Sequence, residues 1–358
     1  MYDIFASELF FLQFCKRLRE RLQFMSQITI KDIASKLEIS ISTVSRALNN
    51  HPDIHDNTKK NVSDLANKLG YRPNILAKNL QSKQSNQIGV IVPEIRHDFF
   101  ANVISGIEDV AYHKGYTVIV SQSNEDVKRE EINLNSMYLN RVAGILVSIS
   151  QTTTKSDHFK RLIDNGVKMV FFDRDIENLD VYKVIIDDFE SSYNAVKYLI
   201  EKGYKKIVHL AGPPNLSICT KRKLGYEKAM TDYNLSSEIM VIEGGMHEMD
   251  GIAGAEKLLE SGNLPEAIFA VNDPVAIGAF KRLKEDNIKI PGQVGIIGFS
   301  NNPITEIVDP PLTTVEQPAY EMGKSAAELL INQIEGKEIN LVTKILKLET
   351  KLIVRKST

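Results

Sequence analysis

The sequence predicts a small all-α helix-turn-helix domain followed by a larger α/β domain of two similar lobes with parallel sheets. Two short amphipathic helices joined by a very short turn begin at residue 29. From residue 88 onward, short β-branched runs alternate with amphipathic helices, which is typical of βαβ units. The predicted strands are too numerous for one open sheet, so we expect them to divide between two lobes.

Composition limits how these elements can be arranged. The 358 residues, 43% of them apolar, provide for two or three folded units. The formal net charge of -2 excludes a uniformly basic protein, but cations outnumber anions between residues 26 and 84. Cys15 and Cys219 are far apart and fit neither a zinc site nor a disulfide framework. We therefore expect a cytoplasmic protein with no cofactor.

The first 24 residues contain a short apolar run at 9–14 that does not resemble a signal peptide. Acidic residues precede the run where cations belong, and cations follow it. The run is also too short to span a bilayer. We expect residues 1–25 to be a non-native or disordered N-terminal extension. An added amphipathic partner helix is the alternative.

The helix-turn-helix domain is predicted over residues 26–73. Its first helix covers 29–37, with Thr29 as N-cap, and its second begins after the N-cap Ser40. In the second helix, apolar residues face inward while polar residues face outward. Two helices in this arrangement leave one polar helix face open to solvent.

A third helix completes this domain. It is expected to be capped near Asp56 or Asn57 and to stop at Gly70. Pro73 prevents its continuation, so residues 74–86 are expected to form a brief helix and a polar linker. That brief helix is too short to be stable alone in water.

The α/β domain is predicted over residues 87–358, and the turn-rich break at 187–190 separates its lobes. Its candidate strands are 88–92, 116–121, 144–148, 169–173, 184–187, 207–211, 241–243, 267–271 and 294–299, with a strand-like stretch at 346–354. Its helices include 100–113, 190–202, 222–233 and 274–285. Lobe 1 is expected to comprise 87–187 plus 317–340, and lobe 2 is expected to comprise 188–316 plus 341–358. Ligands of such folds bind beyond the carboxyl ends of the strands.

Several motifs stand in a recognisable order along the chain. They are STVSRALN at 42–49, GYRPN at 70–74, VFFDRD at 170–175, VNDPVAIGA at 271–279 and DPPLTTVEQPAYEMG at 309–323. In these motifs the chain after Met25 resembles the lactose repressor and galactose repressor family of bacterial transcription regulators. The resemblance implies a DNA-binding domain followed by an effector-binding domain of the periplasmic-binding-protein type.

The resemblance and the helix pattern agree that the second helix is a recognition helix in the major groove. Ile41, Ser42 and Arg46 face outward and are candidates for contacting base edges, and Arg46 can bind guanine bidentately. The shorter side chains of this helix are expected to contact phosphates. The implied DNA-binding residues of the domain are Thr29, Ile41, Ser42, Thr43, Ser45, Arg46 and Asn49.

The resemblance also implies a hinge helix in the minor groove. In the family, two hinges, one from each subunit, wedge a leucine between base pairs, and Leu80 matches that leucine here, with Asn74 and Ala77 in the same segment. An effector that changes the tilt of the lobes would then alter DNA affinity. The alternative is that Leu80 is a linker hydrophobe. The turn after the first helix usually carries glycine in the family, and Glu38 replaces it here. We expect a left-handed backbone at this position, which costs a non-glycine residue roughly 1 kcal/mol.

A ligand set is implied for the cleft between the lobes. Its members are His97, Asp98, Phe99, Gln122, Asp173, Arg222, Asp273 and Phe299. Carboxylate and guanidinium groups would bind adjacent hydroxyls, and aromatic faces would cover the C–H surface of a sugar. Asp273 could instead only cap its helix, and His97 could be a solvated loop residue. Either Phe99 or Phe100 is expected to belong to the core.

The function expected from these features is repression of carbohydrate-catabolic genes by a homodimer that binds double-stranded operator DNA, without a membrane association. A sugar or sugar derivative would control operator affinity. The alternative is a regulator that binds DNA with a corepressor or a protein partner. An enzyme is disfavoured because no phosphate loop, GxGxxG, nucleophile elbow or histidine-rich metal cluster is present, and no metal site is expected. A periplasmic-type sugar-binding protein is disfavoured by the helix-turn-helix.

Overall fold

The computed structural model describes residues 28–71, 85–176 and 178–358. The chain divides into two compact units, Met1–Lys83 and Gln84–Thr358. The predicted N-terminal extension and the hinge residues Asn74, Ala77 and Leu80 lie outside the described residues.

The first unit contains three helices, α1 (Ile30–Leu37), α2 (Ile41–Leu48) and α3 (Asp56–Leu69). Their shared core consists of Ile33, Ala34, Val44, Ala47, Val62 and Ala66. This packing stabilises helices that are each too short to persist alone. The helix-turn-helix predicted from the sequence is thereby confirmed.

The ends of these helices follow the expected chemistry with one correction. Asp32 accepts hydrogen bonds from the amide and the hydroxyl of Thr29, both at 2.7 Å. The Ser40 hydroxyl accepts from the Thr43 amide at 3.0 Å and caps α2. The N-cap of α3 is His55 rather than Asp56 or Asn57. Asp56 instead lies in the first turn, where a carboxylate is stabilised by the helix dipole.

The turn between α1 and α2 has the left-handed backbone that the sequence predicted. Glu38 ends α1 with a φ of 55° and a ψ of 35°. Its amide donates to the Ala34 carbonyl, so the conformation closes the helix end. A side chain with a Cβ at this position costs roughly 1 kcal/mol relative to glycine.

The second unit is built from twelve strands and nine α-helices within its described residues. The strands are β1 (Gln87–Val92), β2 (Thr117–Gln122), β3 (Gly144–Val147), β4 (Met169–Phe172), β5 (Tyr182–Ile186), β6 (Ile207–Ala211), β7 (Met240–Glu243), β8 (Ala267–Ala270), β9 (Gly295–Ser300), β10 (Thr313–Glu316), β11 (Ile345–Leu348) and β12 (Lys351–Ile353). The helices are α4 (Asp98–His113), α5 (Val127–Leu139), α6 (Asp157–Asp164), α7 (Asp188–Glu201), α8 (Ser217–Asp232), α9 (Glu248–Glu260), α10 (Asp273–Glu285), α11 (Ile304–Ile307) and α12 (Ala319–Ile334).

The strands form two six-stranded sheets, one in each lobe, which confirms the predicted fold class. The lobe 1 sheet has the order β11-β5-β4-β3-β1-β2, and the lobe 2 sheet has the order β12-β10-β9-β8-β6-β7. Neighbouring strands are parallel except β10 and β12, which pair antiparallel. Parallel strands connected by helices are covered on both faces, which explains the continuous apolar runs of β3, β4 and β8.

The C-terminal lobe boundary corrects the prediction. Residues 341–358 were assigned to lobe 2, but β11 pairs in parallel with β5 in lobe 1, with Ile345 opposite Lys183. β12 and the residues that follow it join lobe 2, where Ser357 donates to the Ile296 carbonyl. The strand-like stretch at 346–354 is therefore two strands on different sheets. The apolar pattern predicts that a segment is a strand but not which sheet edge it joins.

Each lobe contains a very close helix crossing that requires glycine. In lobe 1, a Cβ added to Gly323 of α12 would clash with the carbonyl of Val103 on α4. In lobe 2, a Cβ added to Gly278 of α10 would clash with the carbonyl of Glu248 on α9. In both lobes, glycine at the crossing therefore allows the two helices to pack closely together beside the sheet.

Candidate functional site

The exposed face of α2 carries the predicted DNA-contacting residues. Ser42, Arg46 and Asn49 are exposed, and Ile41 is 46% exposed although it is a large apolar side chain. Thr43 and Ser45 are partly buried. Thr29, which precedes α1, is exposed. An isoleucine at the start of a polar helix face has no packing role in the core, but it can contact a thymine methyl group.

Hydroxyl groups surround the N-terminus of α2. The Ser40 hydroxyl lies 2.7 Å from the hydroxyls of both Ser42 and Thr43. At the other end of the helix, the Asn49 amide donates to the Ser45 carbonyl at 2.9 Å. Free backbone amides and hydroxyls at a helix N-terminus bind phosphate well, so this end of α2 fits a nucleic-acid backbone.

A cavity of about 300 Å³ lies between the two lobes of the second unit. Its polar lining residues are His97, Asp98, Asn102, Glu125, Asp173, Arg174, Arg222, Asn272, Ser300, Asn301, Asn302, Glu316, Gln317, Tyr320 and Glu321. Its apolar lining includes Phe99, Phe100, Ile218, Met246 and four residues near the starts of α10, α11 and α12. This size suits a small molecule.

Arg222 is the central cation of the cavity. Its Nε and its guanidinium are held by Asp188 at 2.8 Å, and a further N–H donates to the Val271 carbonyl at 2.7 Å. The guanidinium carbon lies 3.7 Å from the centre of the Phe299 ring. Arg222 lies in the second turn of α8, because that helix begins at Ser217 and not at Arg222 as predicted. Buried ion pairing therefore explains it better than the helix dipole.

Asp173 is a buried carboxylate of the cavity that accepts little hydrogen bonding from the protein. It follows β4 in a left-handed conformation, with a φ of 59°. Burial raises the pKa of Asp173 to about 6, although Arg174 and Arg222 oppose that rise. Its one described hydrogen bond comes from the Gln317 amide at 3.4 Å. A ligand hydroxyl would supply the missing donor.

Arg174 is buried beside Asp173 and has spare donor capacity. One of its N–H groups donates to both carboxylate oxygens of Glu125, at 2.9 and 3.0 Å. Among the described residues, its Nε has no hydrogen-bond partner. The guanidinium carbon lies 5.8 Å from the centre of the Phe100 ring. Arg174 Nε lies 3.9 Å from Asp173 Oδ2, which is beyond hydrogen-bond distance, so the pair offers a donor and an acceptor side by side.

Five of the eight predicted ligand residues line the cavity. They are His97, Asp98, Phe99, Asp173 and Arg222. Phe100, which belongs to the buried core, also lines it, and Phe99 is the more exposed of the two. The sequence had left the order of this pair open. Gln122, Asp273 and Phe299 do not line the cavity.

Asp273 is a structural carboxylate, which corrects its prediction as a ligand residue. It accepts hydrogen bonds from the Thr314 hydroxyl at 2.6 Å and from the Asn302 amide at 2.7 Å. It does not cap α10 either, because the side chain of Asn272 accepts from the Val275 amide at 2.9 Å. Both carboxylate oxygens of Asp273 therefore accept buried hydrogen bonds from a loop and a strand, and the residue does not line the cavity.

Gln122 and Phe299 are corrected for a different reason. The Gln122 side chain accepts from the Ile95 amide at 3.3 Å and supports the loop that carries His97. Phe299 is fully buried and acts through Arg222, against which it packs. Both lie near strand ends as predicted, but neither side chain lines the cavity.

Several lining residues were not predicted from the sequence, notably Glu125, Arg174, Asn272 and Gln317. Each closely follows a strand: β2, β4, β8 and β10, respectively. The rule that ligands bind beyond the strand ends could have found them. Gln317 was missed because β10 was not among the predicted strands.

The two units together define the class of this protein: a ligand-responsive, DNA-binding transcription regulator. Residues 29–74 match the family model described as "Bacterial regulatory proteins, lacI family". Residues 196–358 match the model described as "Periplasmic binding protein-like domain".

Comparison with known proteins gives the particular family. The chain is 33% identical to the HTH-type transcriptional repressor PurR of Vibrio atlanticus (strain LGP32) over 313 residues, which is 87% of this chain and 93% of that protein. The chain therefore belongs to the lacI family, and it is a ligand-controlled, DNA-binding repressor.

Solved structures agree with this assignment. The lac repressor dimer bound to operator and the anti-inducer ONPF is similar in fold, with a TM-score of 0.82 and 23% identity over 93% of this chain and 99% of that chain. The regulator from Alkaliphilus metalliredigens QYMF complexed with D-xylulofuranose has a TM-score of 0.67 and 30% identity, over 76% of this chain and 99% of that chain. None of the helices described here is long and apolar enough to cross a bilayer.

Proposed function

We propose that this protein represses carbohydrate-catabolic genes and that a sugar in the interlobe cavity controls its affinity for operator DNA. The observation that carries the proposal is the free acceptor and donor of Asp173 and Arg174 beside an aromatic wall. A carboxylate and a guanidinium can bind adjacent hydroxyls, and Phe99 can cover the C–H face of a sugar ring. The similar protein complexed with D-xylulofuranose supports this choice of ligand class.

The DNA-binding role is assigned to the exposed face of α2. Ile41, Ser42 and Arg46 are proposed to contact base edges. The phosphate contacts are proposed for Thr29, Thr43, Ser45 and Asn49, with Asn74, Ala77 and Leu80 acting in the hinge. A homodimer would place two such helices on a palindromic operator in the cytoplasm, because two-fold protein symmetry matches two half-sites.

Control of DNA affinity is proposed to act through the relative position of the lobes. Asp173 and Arg174 belong to lobe 1, whereas Arg222 and Asn272 belong to lobe 2, and all four line the same cavity. A ligand that contacts both lobes stabilises one arrangement of the lobes over another. In our proposal the sugar releases the repressor. The alternative is the opposite sign of control, in which the protein binds DNA together with a corepressor or a protein partner.

The test is a fluorescence-anisotropy titration on labelled DNA from the protein's own promoter region. The label is placed on the DNA because the chain contains no tryptophan. Sugars and nucleobases are added as a panel at fixed salt, and scrambled DNA of equal length is the control. A sugar that weakens specific binding supports the proposal. A ligand that tightens binding indicates a corepressor, and equal binding to both DNAs would overturn the repressor assignment.

A further inference from the structure

Three side chains capable of binding metal meet across the lobe boundary. Glu94 follows β1 in lobe 1, and His97 is the N-cap residue of α4. His247 is the N-cap residue of α9 in lobe 2. One ligand atom from each of the three lies within 4.8 Å of the others. His97 also lines the cavity, but Glu94 and His247 do not, so the effector-binding site alone does not explain why two imidazoles and a carboxylate converge here.

The distances fit a metal site that closes with small side-chain movements. His97 Nε2 lies 3.0 Å from Glu94 Oε2, and His247 Nε2 lies 4.0 Å from Glu94 Oε1. In a tetrahedral zinc site, with bonds of about 2.1 Å, two ligand atoms are separated by about 3.4 Å. The imidazole rings are nearly parallel, with an interplanar angle of 3° and centres 5.9 Å apart. Rotations of the side chains alone can therefore complete the geometry.

The hydrogen bonds of the cluster also suit a metal. Among the described residues, His247 Nδ1 is buried without a hydrogen-bond partner. Arg96, which pairs with Glu94 at 2.8 Å, has a largely exposed side chain that can swing into solvent.

We propose that Glu94, His97 and His247 bind one divalent transition-metal ion, such as Zn²⁺ or Ni²⁺, which joins lobe 1 to lobe 2 at the rim of the cavity. Nitrogen and carboxylate ligands suit these ions better than Mg²⁺ or Ca²⁺, which prefer oxygen. Three protein ligands leave a fourth position for water or a ligand oxygen. His97 and Met246, the neighbour of His247, line the cavity, so the ion would lie at its rim. Because the three ligands come from both lobes, the bound ion would favour the observed lobe spacing. This inference does not depend on which molecule the cavity binds.

The test uses the full chain without a polyhistidine tag, stripped of metal by a chelator. Zn²⁺ binding is measured by isothermal titration calorimetry, and bound Co²⁺ is followed by its visible absorption. The wild type should bind one ion per chain, whereas Glu94→Gln and His247→Asn should each weaken binding at least about tenfold. His113→Asn is the matched control, because His113 is an exposed histidine at the end of α4. Circular dichroism confirms that each variant is folded.

A second readout tests the bridge between lobes. Zn²⁺ should raise the Tm and reduce the radius of gyration, measured by small-angle X-ray scattering, in the wild type and in His113→Asn. It should change neither in His247→Asn. Unchanged Zn²⁺ affinity in His247→Asn would overturn the site, as would the absence of stoichiometric binding by the wild type. Tight binding that leaves the radius of gyration and the Tm unchanged would overturn the bridging role.

Discussion

At the scale of single residues, two buried aspartates have similarly raised pKa values but different roles. Burial raises the pKa of both Asp173 and Asp273 to about 6. Asp273 uses its oxygens to hold Thr314 and the Asn302 amide, whereas Asp173 faces the cavity with one weak hydrogen bond. The first therefore supports the fold, and the second holds an unsatisfied acceptor ready for a ligand.

Asp173→Asn is expected to stabilise the ligand-free protein at neutral pH while weakening sugar binding. The folded-state pKa near 6 exceeds the ordinary value of 3.8, so folding takes up a proton between these values. The free energy of unfolding of the wild type therefore falls as pH rises from about 4 to about 6. The loss is on the order of 3 kcal/mol, which asparagine avoids.

Urea unfolding of both proteins across this pH range measures the difference. The gap should be largest above about pH 6.5 and should close near pH 4, where the wild-type carboxyl is protonated. A gap that stays constant with pH would contradict the argument.

Asp273→Ala is expected to destabilise the second unit rather than to abolish the ligand response selectively. The substitution leaves the Thr314 hydroxyl and the Asn302 amide without their buried acceptor. Each unsatisfied group costs about 1–3 kcal/mol. Thermal unfolding followed by circular dichroism measures the loss. A variant with wild-type Tm that no longer responds to sugar would instead support the ligand role inferred from the sequence.

At the scale of elements, the α1–α2 turn shows a local cost that the surrounding packing tolerates. Glu38 adopts the left-handed conformation that glycine adopts without strain. This conformation was predicted because Glu38 occupies a position that usually carries glycine in the family. The helices on either side are held by the apolar core of the first unit, which outweighs the cost. The turn therefore keeps its geometry without its usual residue.

Glu38→Gly is expected to stabilise the first unit by about 1 kcal/mol, because glycine relieves the left-handed strain. Hydrogen–deuterium exchange of the full chain should show slower exchange of the α1 and α2 amides. Glu38→Ala is the control, since it removes the carboxylate but keeps the Cβ. Equal protection in the two variants would attribute the effect to charge and not to backbone strain.

The strength of the local sequence pattern explains which helices and strands could be predicted. The capped helices of the first unit and the apolar strands of both sheets have strong local patterns, and these were predicted closely. β10 was missed because its sequence TTVE carries only one aliphatic residue, although Thr313, Thr314 and Val315 are all buried. Threonine hydroxyls can be buried there only because Asp273, Ser357 and Thr358 lie nearby to bond with this strand.

At the scale of the whole molecule, base recognition and ligand recognition reside in separate compact units. A substitution in one unit should therefore leave the direct binding reaction of the other unchanged. Their coupling appears only when DNA and ligand are present together, as linkage requires.

Arg46→Ala is expected to lower the preference for specific over scrambled DNA by about 1–3 kcal/mol, because a bidentate contact to guanine is lost. The sugar affinity of the free protein, measured by calorimetry, should not change. The control is Asn49→Ala, which should weaken binding to both DNAs alike by losing a phosphate contact. An equal loss on both DNAs for Arg46→Ala would assign the arginine to phosphate.

Periodicity, capping residues and motif order are local in the sequence, so they were sufficient to predict the helix-turn-helix, the two parallel sheets and most strand positions. The tertiary structure alone decided which strand-end side chains face the cavity, because adjacent residues at a strand end point to opposite sides. It separated Asp173 from Asp273, assigned β11 and β12 to different lobes and brought His247 beside Glu94 and His97. These contacts join residues far apart in sequence, and their geometry depends on how whole lobes pack, which no local pattern encodes.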